Sequence, residues 1–175
     1  ATIAAPLSGM TTAIAPAGLV GLIALGLFAA AVISPGPAIP ALALILIGAG
    51  TGIAPLAGFV WHNTRHRPYH LYFGGRDPSS DFLYAPLLRA ALIDHRLAGL
   101  ATAFSRVVGG AYVQDLLRND AATIRRLIAN GAQVMVCGGR QMAAGVRDSL
   151  DFCLAPLGET VATLRDRGRY LEDVY

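Results

Sequence analysis

LILIGAGTGIAPLAGF, residues 44–59, decides the fold, because an apolar run breaks here into closely spaced glycines and then resumes as a helical pattern. The run of Leu and Ile predicts a buried strand. Pro55 falls in the first turn of the predicted helix, where its missing N–H costs nothing. The backbone N–H groups and the helix dipole at such a turn can hold a pyrophosphate. A tight strand–helix connection without a ligand explains the same glycines, so the turn alone leaves both interpretations open.

Outward from this stretch, the chain from residue 41 onward alternates short apolar runs with longer helical patterns. This alternation predicts βαβ units, and hence an α/β fold with a parallel sheet wrapped by helices. The predicted strands cover residues 42–47, 70–74, 100–104 and 133–137. The predicted helices cover residues 53–64, 82–94, 113–118, 121–130, 141–154 and 158–167. Ser79, Ser80 and Asp81 are expected to cap the helix that begins at residue 82.

The segments that follow the four predicted strands have a shared composition. They read GAGTG, GGRDPSSD, SR and CGGRQM, and all are rich in Gly, Ser, Thr or Arg. In such a sheet, ligands bind beyond the carboxyl ends of the strands. Ile53 departs from the G-x-G-x-x-G fingerprint, and Arg76 stands where an acidic residue would bind a ribose hydroxyl. The four segments together predict a phosphate-bearing ligand.

The distribution of charge separates two parts of the chain. Residues 1–64 contain no Asp, Glu, Lys or Arg, and all 14 basic and 11 acidic residues follow them. Every basic residue is Arg, and these arginines are scattered among acids with a net charge of only +3. This pattern disfavours nucleic-acid binding, which requires a basic run or patch.

Motifs for other chemistry are weak. His62 and His66 have a spacing that zinc could use, but no Glu accompanies them, and helix histidines without a metal are the favoured interpretation. No metal site is therefore expected. Cys137 ends an apolar run and Cys153 lies in a predicted helix, so a disulfide is not expected. This fits a reducing compartment, such as the cytoplasm.

The leader, residues 1–40, is apolar and precedes the predicted domain at 41–175. Its run at residues 18–33 would span about 24 Å as a helix, less than the roughly 30 Å of a bilayer core. Prolines bracket the run and glycines interrupt it, so a pair of buried strands explains it equally well. A membrane association through the leader stays open beside the strand interpretation.

GAGTGIAP resembles the glycine turn of the ferredoxin–NADP reductase superfamily, and further motifs follow in that family's order. They are YFGGR, DFLY, AFSR, YVQ, VCGG and a carboxyl-terminal RYLEDVY. The series is similar to the diflavin branch, which includes the sulfite reductase flavoprotein subunit and NADPH–haemoprotein reductases. It covers about three quarters of the chain, residues 44–175. The resemblance implies a ferredoxin-reductase-like NADP-binding domain in an NADPH-dependent oxidoreductase, which passes hydride to FAD and electrons on to FMN, haem or another acceptor.

The resemblance also implies roles for individual residues, beginning with the phosphates of NADP(H). Gly50, Thr51 and Gly52 of the turn hold the pyrophosphate. Ser105 and Arg106 grip the 2′-phosphate, which suits an Arg fork and a serine hydroxyl on chemical grounds.

Tyr112 and Gln114 match residues of the family that stack on the adenine side and bond the 2′-phosphate, and Arg76 is a further cofactor-binding candidate. At the nicotinamide end, the resemblance implies that Cys137 lies beside the carbon that gives up hydride, with the Asp173 carboxylate near it. Gly138 and Met142 belong to the loop there. Tyr175 matches a terminal aromatic that lies over the flavin and moves before the nicotinamide can stack.

Two departures from the family pattern affect these expectations. Gly110-Ala111 stands where the family often has a Lys, which predicts a weaker preference for NADP. Gly139 replaces an Asp, and Met142 comes one residue early, so the nicotinamide-side loop is expected to be shorter.

The location of FAD is a separate expectation. The R-x-Y-S element of the family's FAD-binding barrel is absent from the sequence, while PLSGM, residues 6–10, resembles its later Ser-bearing turn. FAD is therefore expected on an upstream or partner domain, with the leader as the end of the barrel. Two alternatives stay open: an NADP(H)-binding module without its own flavin, and a membrane-tethered reductase domain that faces the cytoplasm.

Overall fold

A computed structural model describes residues 43–175 of the chain. The strands are β1 (Leu44–Ala49), β2 (Tyr69–Gly75), β3 (Gly99–Phe104), β4 (Gln133–Gly138) and β5 (Tyr170–Val174). The helices are α1 (Ile53–Trp61), α2 (Ala85–Ile93), α3 (Val113–Asn119), α4 (Ala121–Ala129), α5 (Arg140–Leu154) and α6 (Val161–Asp166). Short 3-10 helices at Gly50–Gly52 and Ala155–Leu157 precede α1 and follow α5.

The five strands form one parallel sheet in the order β3–β2–β1–β4–β5. Residues 44–47 of the central strand β1 are at most 2% exposed, because helices cover a parallel sheet on both faces. The chain runs from β1 to β2 and β3 on one side and later enters β4 and β5 on the other. The carboxyl ends of β1 and β4 therefore form a topological switch point. This confirms the predicted α/β fold with a parallel sheet wrapped by helices.

The two faces of the sheet have separate helix layers. Ile45 and Ile47 belong to a buried cluster with residues of α3, α4, α5 and α6. Because side chains alternate along a strand, Leu44 and Leu46 point to the opposite face, where α1 packs. A Cβ on Gly48 would lie 2.8 Å from Leu56 Cδ1 of α1, so this glycine lets the helix approach the sheet closely.

The first predicted helix is shorter than its sequence pattern indicated, since α1 ends at Trp61 rather than at residue 64. The cause is Asn63, which is only 4% exposed and binds the following loop. Its Nδ2 donates to the carbonyl oxygens of Arg67 and Arg96, each at 2.8 Å. A buried amide that satisfies loop carbonyls favours the end of the helix.

Two other predicted helices begin later than expected. The predicted start at residue 82 is wrong, because α2 begins at Ala85 after Tyr84, which has a left-handed φ of 59°. The last helix begins at Val161 rather than at residue 158, because Gly158 is left-handed with a φ of 66°. Thr160 then caps α6, and its side chain accepts from the Thr163 N–H at 3.2 Å.

Strand β5 lies outside the predicted strands. It pairs in parallel with β4 at one edge of the sheet, and Cys137 is the register partner of Asp173. Its acidic residues interrupt the apolar pattern from which the other strands were predicted. The Glu172 carboxylate is stabilised by Arg147 and Arg165 at 2.9 and 2.8 Å.

Several predictions about the leader lie outside the described residues. They are the strand or membrane interpretation of residues 18–33, the turn at residues 6–10 and the domain boundary after residue 40. Within residues 43–175, the structure contains no helix with the length and hydrophobicity needed to cross a bilayer.

Candidate functional site

A cleft of about 820 Å³ opens at the carboxyl ends of β1, β2 and β3, beside the switch point with β4. This volume is within the usual range for cofactor sites. Its walls come from the glycine turn, the loops after β2, β3 and β4, the start of α3 and the last residue of the chain. The lining residues are Ala49, Gly50, Thr51, Gly74, Gly75, Arg76, Asp81, Leu83, Ser105, Tyr112, Val113, Gln114, Gly139, Gln141, Met142 and Tyr175.

Two glycines of the glycine turn are needed for different reasons, one for its backbone conformation and one for close packing. Gly50 lines the cleft with a left-handed φ of 55°, a conformation that favours glycine. Gly52 is buried and does not line the cleft. A Cβ on Gly52 would lie 2.2 Å from the Cys137 carbonyl oxygen, so it lets the turn pack against β4. Thr51, between them, is exposed in the cleft.

Two neighbouring loops carry the arginines predicted to bind phosphate. We call residues 75–81 and 105–111 the two arginine loops. Arg76 and Ser105 line the cleft, while Arg106 is exposed next to Ser105 but does not line it. Within residues 43–175 neither guanidinium forms an ion pair. Both charges are therefore available to an anion that enters from solvent.

The start of α3 forms another part of the cleft wall. Tyr112 is 60% exposed, and its N–H donates to the Asp115 carboxylate at 2.8 Å, which caps the helix. Gln114, two residues after Tyr112, also lines the cleft and packs against α5. A Cβ on Gly145 of α5 would lie 3.2 Å from the Gln114 amide group. The absence of a side chain at Gly145 therefore leaves the room that Gln114 uses.

Cys137 and Asp173 lie together behind the cleft and do not line it. Cys137 is 3% exposed on β4. Burial chiefly, and the Asp173 carboxylate secondarily, raise the pKa of the Cys137 thiol to about 11. The thiol is therefore protonated near neutral pH, and a protonated thiol is a poor nucleophile.

The loop after β4 and the chain terminus meet at the glycine turn. Gly138 is buried, with a φ of 152°, and a Cβ on it would overlap Met142 Cε at 2.4 Å. Met142 lines the cleft, whereas Gly138 does not. The Tyr175 N–H donates to Gly138 O, and the Arg140 N–H donates to Tyr175 O, both at 3.3 Å.

The side chain of Tyr175 contacts the glycine turn within the cleft. Its hydroxyl lies 2.6 Å from Thr51 Oγ1, in a hydrogen bond that joins the last residue to the glycine turn. Thr51, which was predicted to bind the pyrophosphate, and Tyr175, which was predicted to cover the flavin, are thus in direct contact.

Asp81 is the most informative residue that the sequence analysis missed, because it was expected to cap a helix. The helix begins later, and Asp81 Oδ2 instead accepts from the N–H groups of Arg76 and Asp77 at 3.0 and 3.2 Å. The signal in the sequence was its position at the start of DFLY, one of the motifs of the series. Leu83, which is also in DFLY, and Gln141, which is in CGGRQM, line the cleft too, although neither was predicted as a site residue.

The zinc interpretation of the histidines finds no support within residues 43–175, where no three His, Cys, Asp or Glu residues lie together as a metal site. His62 and His66 are exposed, and His66 lies in the loop after α1 rather than in the helix.

The strand order, the glycine turn at the switch point and the adjoining cleft define a nucleotide-binding α/β domain of the dinucleotide type. The profile of one family, the oxidoreductase NAD-binding domain, matches residues 46–148, which is more than half of the chain. The chain belongs to this family.

Curated proteins of the diflavin branch are similar over most of the chain. A bifunctional cytochrome P-450/NADPH–P-450 reductase of Bacillus cereus is 36% identical over 157 residues, which cover 79% of this chain and 15% of that protein. The human NADPH–cytochrome P-450 reductase is 34% identical over 149 residues, which cover 75% of this chain and 22% of that protein. The mouse methionine synthase reductase is 31% identical over 165 residues, which cover 79% of this chain and 24% of that protein.

These similarities confirm the resemblance to the diflavin reductase branch. The chain spans less than a quarter of the length of each of these three relatives. It corresponds to their nucleotide-binding part rather than to the whole proteins.

Proposed function

We propose that this domain binds NADP(H) in the cleft and presents the nicotinamide to FAD on another domain, as the NADP-binding part of an NADPH-dependent flavoprotein reductase. The observation that carries the proposal is the meeting of the glycine turn and the two arginine loops in one cleft at the switch point. The names of two similar proteins, NADPH–cytochrome P-450 reductase and methionine synthase reductase, support a reductase.

The phosphates of the dinucleotide fit the groups that line the cleft. The exposed Thr51 hydroxyl and the backbone of Gly50 face the position of the pyrophosphate, where the start of α1 adds its dipole. Arg76 and Ser105 bind the 2′-phosphate, with Arg106 closing over it from solvent. Guanidinium groups bind phosphate in paired hydrogen bonds, which gives both affinity and orientation. Tyr112 offers an exposed ring on which the adenine stacks.

The nicotinamide end lies between the loop after β4 and the chain terminus. FAD, when bound, supplies the hydride acceptor. Cys137 stays a neutral, buried thiol beside Asp173, and together they support the floor on which the nicotinamide rests. The Tyr175 side chain covers the glycine turn and has to leave Thr51 before the ligand binds there.

The partners of the domain are an FAD-binding domain, upstream or on a partner chain, and a downstream acceptor such as FMN or haem. Both cysteines are buried free thiols, which suits a reducing compartment, so we place the domain in the cytoplasm or facing it. A second candidate is an NADP(H)-binding module without a flavin partner, favoured by Gly139 in place of the family's Asp. A flavin spectrum in the purified protein distinguishes the reductase from this module.

Parallel calorimetric titrations with NADP⁺ and NAD⁺ test the proposal. We expect tighter binding of NADP⁺, and we expect Arg106→Ala to weaken it by about tenfold or more, because charged hydrogen bonds contribute about 1.5–3 kcal/mol. NAD⁺ binding should change little. Arg65→Ala, which removes an exposed arginine outside the cleft, is the matched control. Equal affinity for the two nucleotides, or no binding of either, would overturn the proposal.

A further inference from the structure

The two arginine loops are connected through their backbones. The Ser105 N–H donates to Gly75 O at 3.0 Å, and the Arg106 N–H donates to Arg76 O at 2.8 Å. These bonds continue the β2–β3 ladder beyond the strand ends, where Gly75 pairs with Phe104. The backbone of Arg106 is therefore held directly against that of Arg76.

Asp81, the last residue of the loop at 75–81, is hydrogen-bonded to residues near the start of the same loop. One carboxylate oxygen, Oδ2, accepts from the N–H groups of Arg76 and Asp77 at 3.0 and 3.2 Å. The Asp81 N–H donates in turn to Asp77 O at 2.8 Å. Hydrogen bonds to an ionised acceptor are stronger than neutral ones, so this residue fixes the direction in which the chain leaves β2.

Close packing fixes the ends of the strands as well. A Cβ on Gly75 would lie 3.0 Å from the Phe104 ring and 3.3 Å from Asp81 Cβ. Gly75 thus fits between the aromatic ring and the Asp81 side chain with no space for a substituent. Asp81 is therefore packed against β2 as well as hydrogen-bonded to the loop.

The charge of Asp81 is directed to the backbone rather than to the arginines. Its Oδ2 accepts the two N–H groups, and its Oδ1 accepts from Ser80 Oγ at 3.3 Å. Within residues 43–175 Asp81 forms no ion pair with Arg76 or Arg106. The carboxylate thus orders the loop while the guanidinium groups stay available for an anion.

We infer that Asp81 is a positioning residue: it holds Arg76, and through the backbone Arg106, in place for a 2′-phosphate, and thereby sets the preference for a 2′-phosphorylated nucleotide. It does so without binding the phosphate itself. This inference rests on the proposed function.

The test uses the full chain and two small probes, 2′,5′-ADP and 5′-AMP, which differ in the 2′-phosphate. Calorimetry gives the Kd of each probe for the wild type, Asp81→Ala, Asp81→Asn and Asp77→Ala. Asp81→Ala should raise the Kd of 2′,5′-ADP by about tenfold and that of 5′-AMP by less than about twofold. Asp81→Asn should stay within about threefold of the wild type, because its amide oxygen can still accept both N–H groups.

Asp77→Ala is the matched control in the same loop, because the Asp77 carboxylate accepts hydrogen bonds from Ser79 and from the Ser80 N–H rather than from the Arg76 N–H. It should leave the ratio of the two Kd values unchanged. A purely structural role of Asp81 would weaken both probes equally, and that result would overturn the inference. An unchanged ratio in Asp81→Ala, or an equal loss in Asp81→Asn, would overturn it as well. If the wild type bound both probes equally, the proposed function itself would fail.

Discussion

At the scale of single residues, the Tyr175 hydroxyl is hydrogen-bonded to the Thr51 hydroxyl, which the proposed ligand needs. The Tyr175 hydroxyl oxygen lies 2.6 Å from Thr51 Oγ1. Tyr175→Phe keeps the ring but removes this bond, so the Thr51 hydroxyl becomes free for the pyrophosphate. We expect the affinity for NADP⁺ to rise by about fivefold in calorimetric titrations, since a net hydrogen bond is worth about 1 kcal/mol.

Tyr84→Phe is the matched control for this prediction, because Tyr84 is 46% exposed and does not line the cleft. It should leave NADP⁺ binding unchanged. An unchanged or weaker affinity in Tyr175→Phe would show that the bond to Thr51 does not compete with the ligand.

Single residues also show how far the sequence alone indicates the site. Thr51 and Ser105 were predicted because they follow strands in motifs of fixed spacing, and both line the cleft. Gly52 was predicted to hold the pyrophosphate, but its contact with the Cys137 carbonyl is a packing role that depends on β4. Asp81 was missed because the N–H groups that donate to its carboxylate reach it only through the way the loop folds back. Local spacing predicts which loops reach the site, and tertiary contacts decide what each residue does there.

At the scale of helices, Gly145 connects α5 to the cleft through Gln114. Ala in place of an interior helix glycine stabilises a helix by about 1 kcal/mol. In Gly145→Ala, however, the new methyl group would lie 3.2 Å from the Gln114 amide and push it by a few tenths of an ångström. We expect a smaller gain in the free energy of unfolding and a roughly twofold to threefold loss of NADP⁺ affinity, as for a weakened hydrogen bond.

Gly58→Ala in α1 is the matched control, because a Cβ there meets nothing within 4 Å. It should give the full helix gain in urea unfolding and leave NADP⁺ binding unchanged. The account of Gln114 would be contradicted if the two variants had the same binding affinity.

The strands differ in how well their sequences predict them. β1 is central and buried on both faces, so its sequence is a continuous apolar run that predicts a strand without information about the other elements. β5 lies at the edge of the sheet and carries Glu172 and Asp173. The partners of Glu172 are Arg147 of α5 and Arg165 of α6, so its stabilisation comes from elements that the local pattern cannot show.

At the scale of the whole molecule, Glu172 joins β5 to two helices and makes stability depend on pH. Burial opposes its charge, but the Tyr170 hydroxyl, Arg147 and Arg165 outweigh burial and lower the pKa of this carboxyl below 4.5. Since the folded pKa is below the unfolded one, the contribution to stability is present above pH 4.5. It is lost as the pH falls through the lowered folded value.

Glu172→Gln should therefore lower the free energy of unfolding at pH 7, and the difference from the wild type should shrink below pH 4.5. Urea unfolding at several pH values measures this. Glu159→Gln, which breaks the pair with Arg167, should have a smaller effect at pH 7, because Glu159 pairs with one arginine and Glu172 pairs with two. If Glu172→Gln lowered the free energy of unfolding by the same amount at every pH, the pH dependence argued for Glu172 would be contradicted.

The most direct test of the central claim is a map of amide chemical shifts in the full chain upon addition of NADP⁺ and, separately, NAD⁺. Both nucleotides should shift the amides of Gly50 and Thr51, since both carry the pyrophosphate. Only NADP⁺ should shift the amides of Arg76, Ser105 and Arg106, since only it carries the 2′-phosphate. Identical shifts for the two nucleotides in the arginine loops, or shifts confined to residues outside the cleft, would contradict the assignment of this cleft to NADP(H).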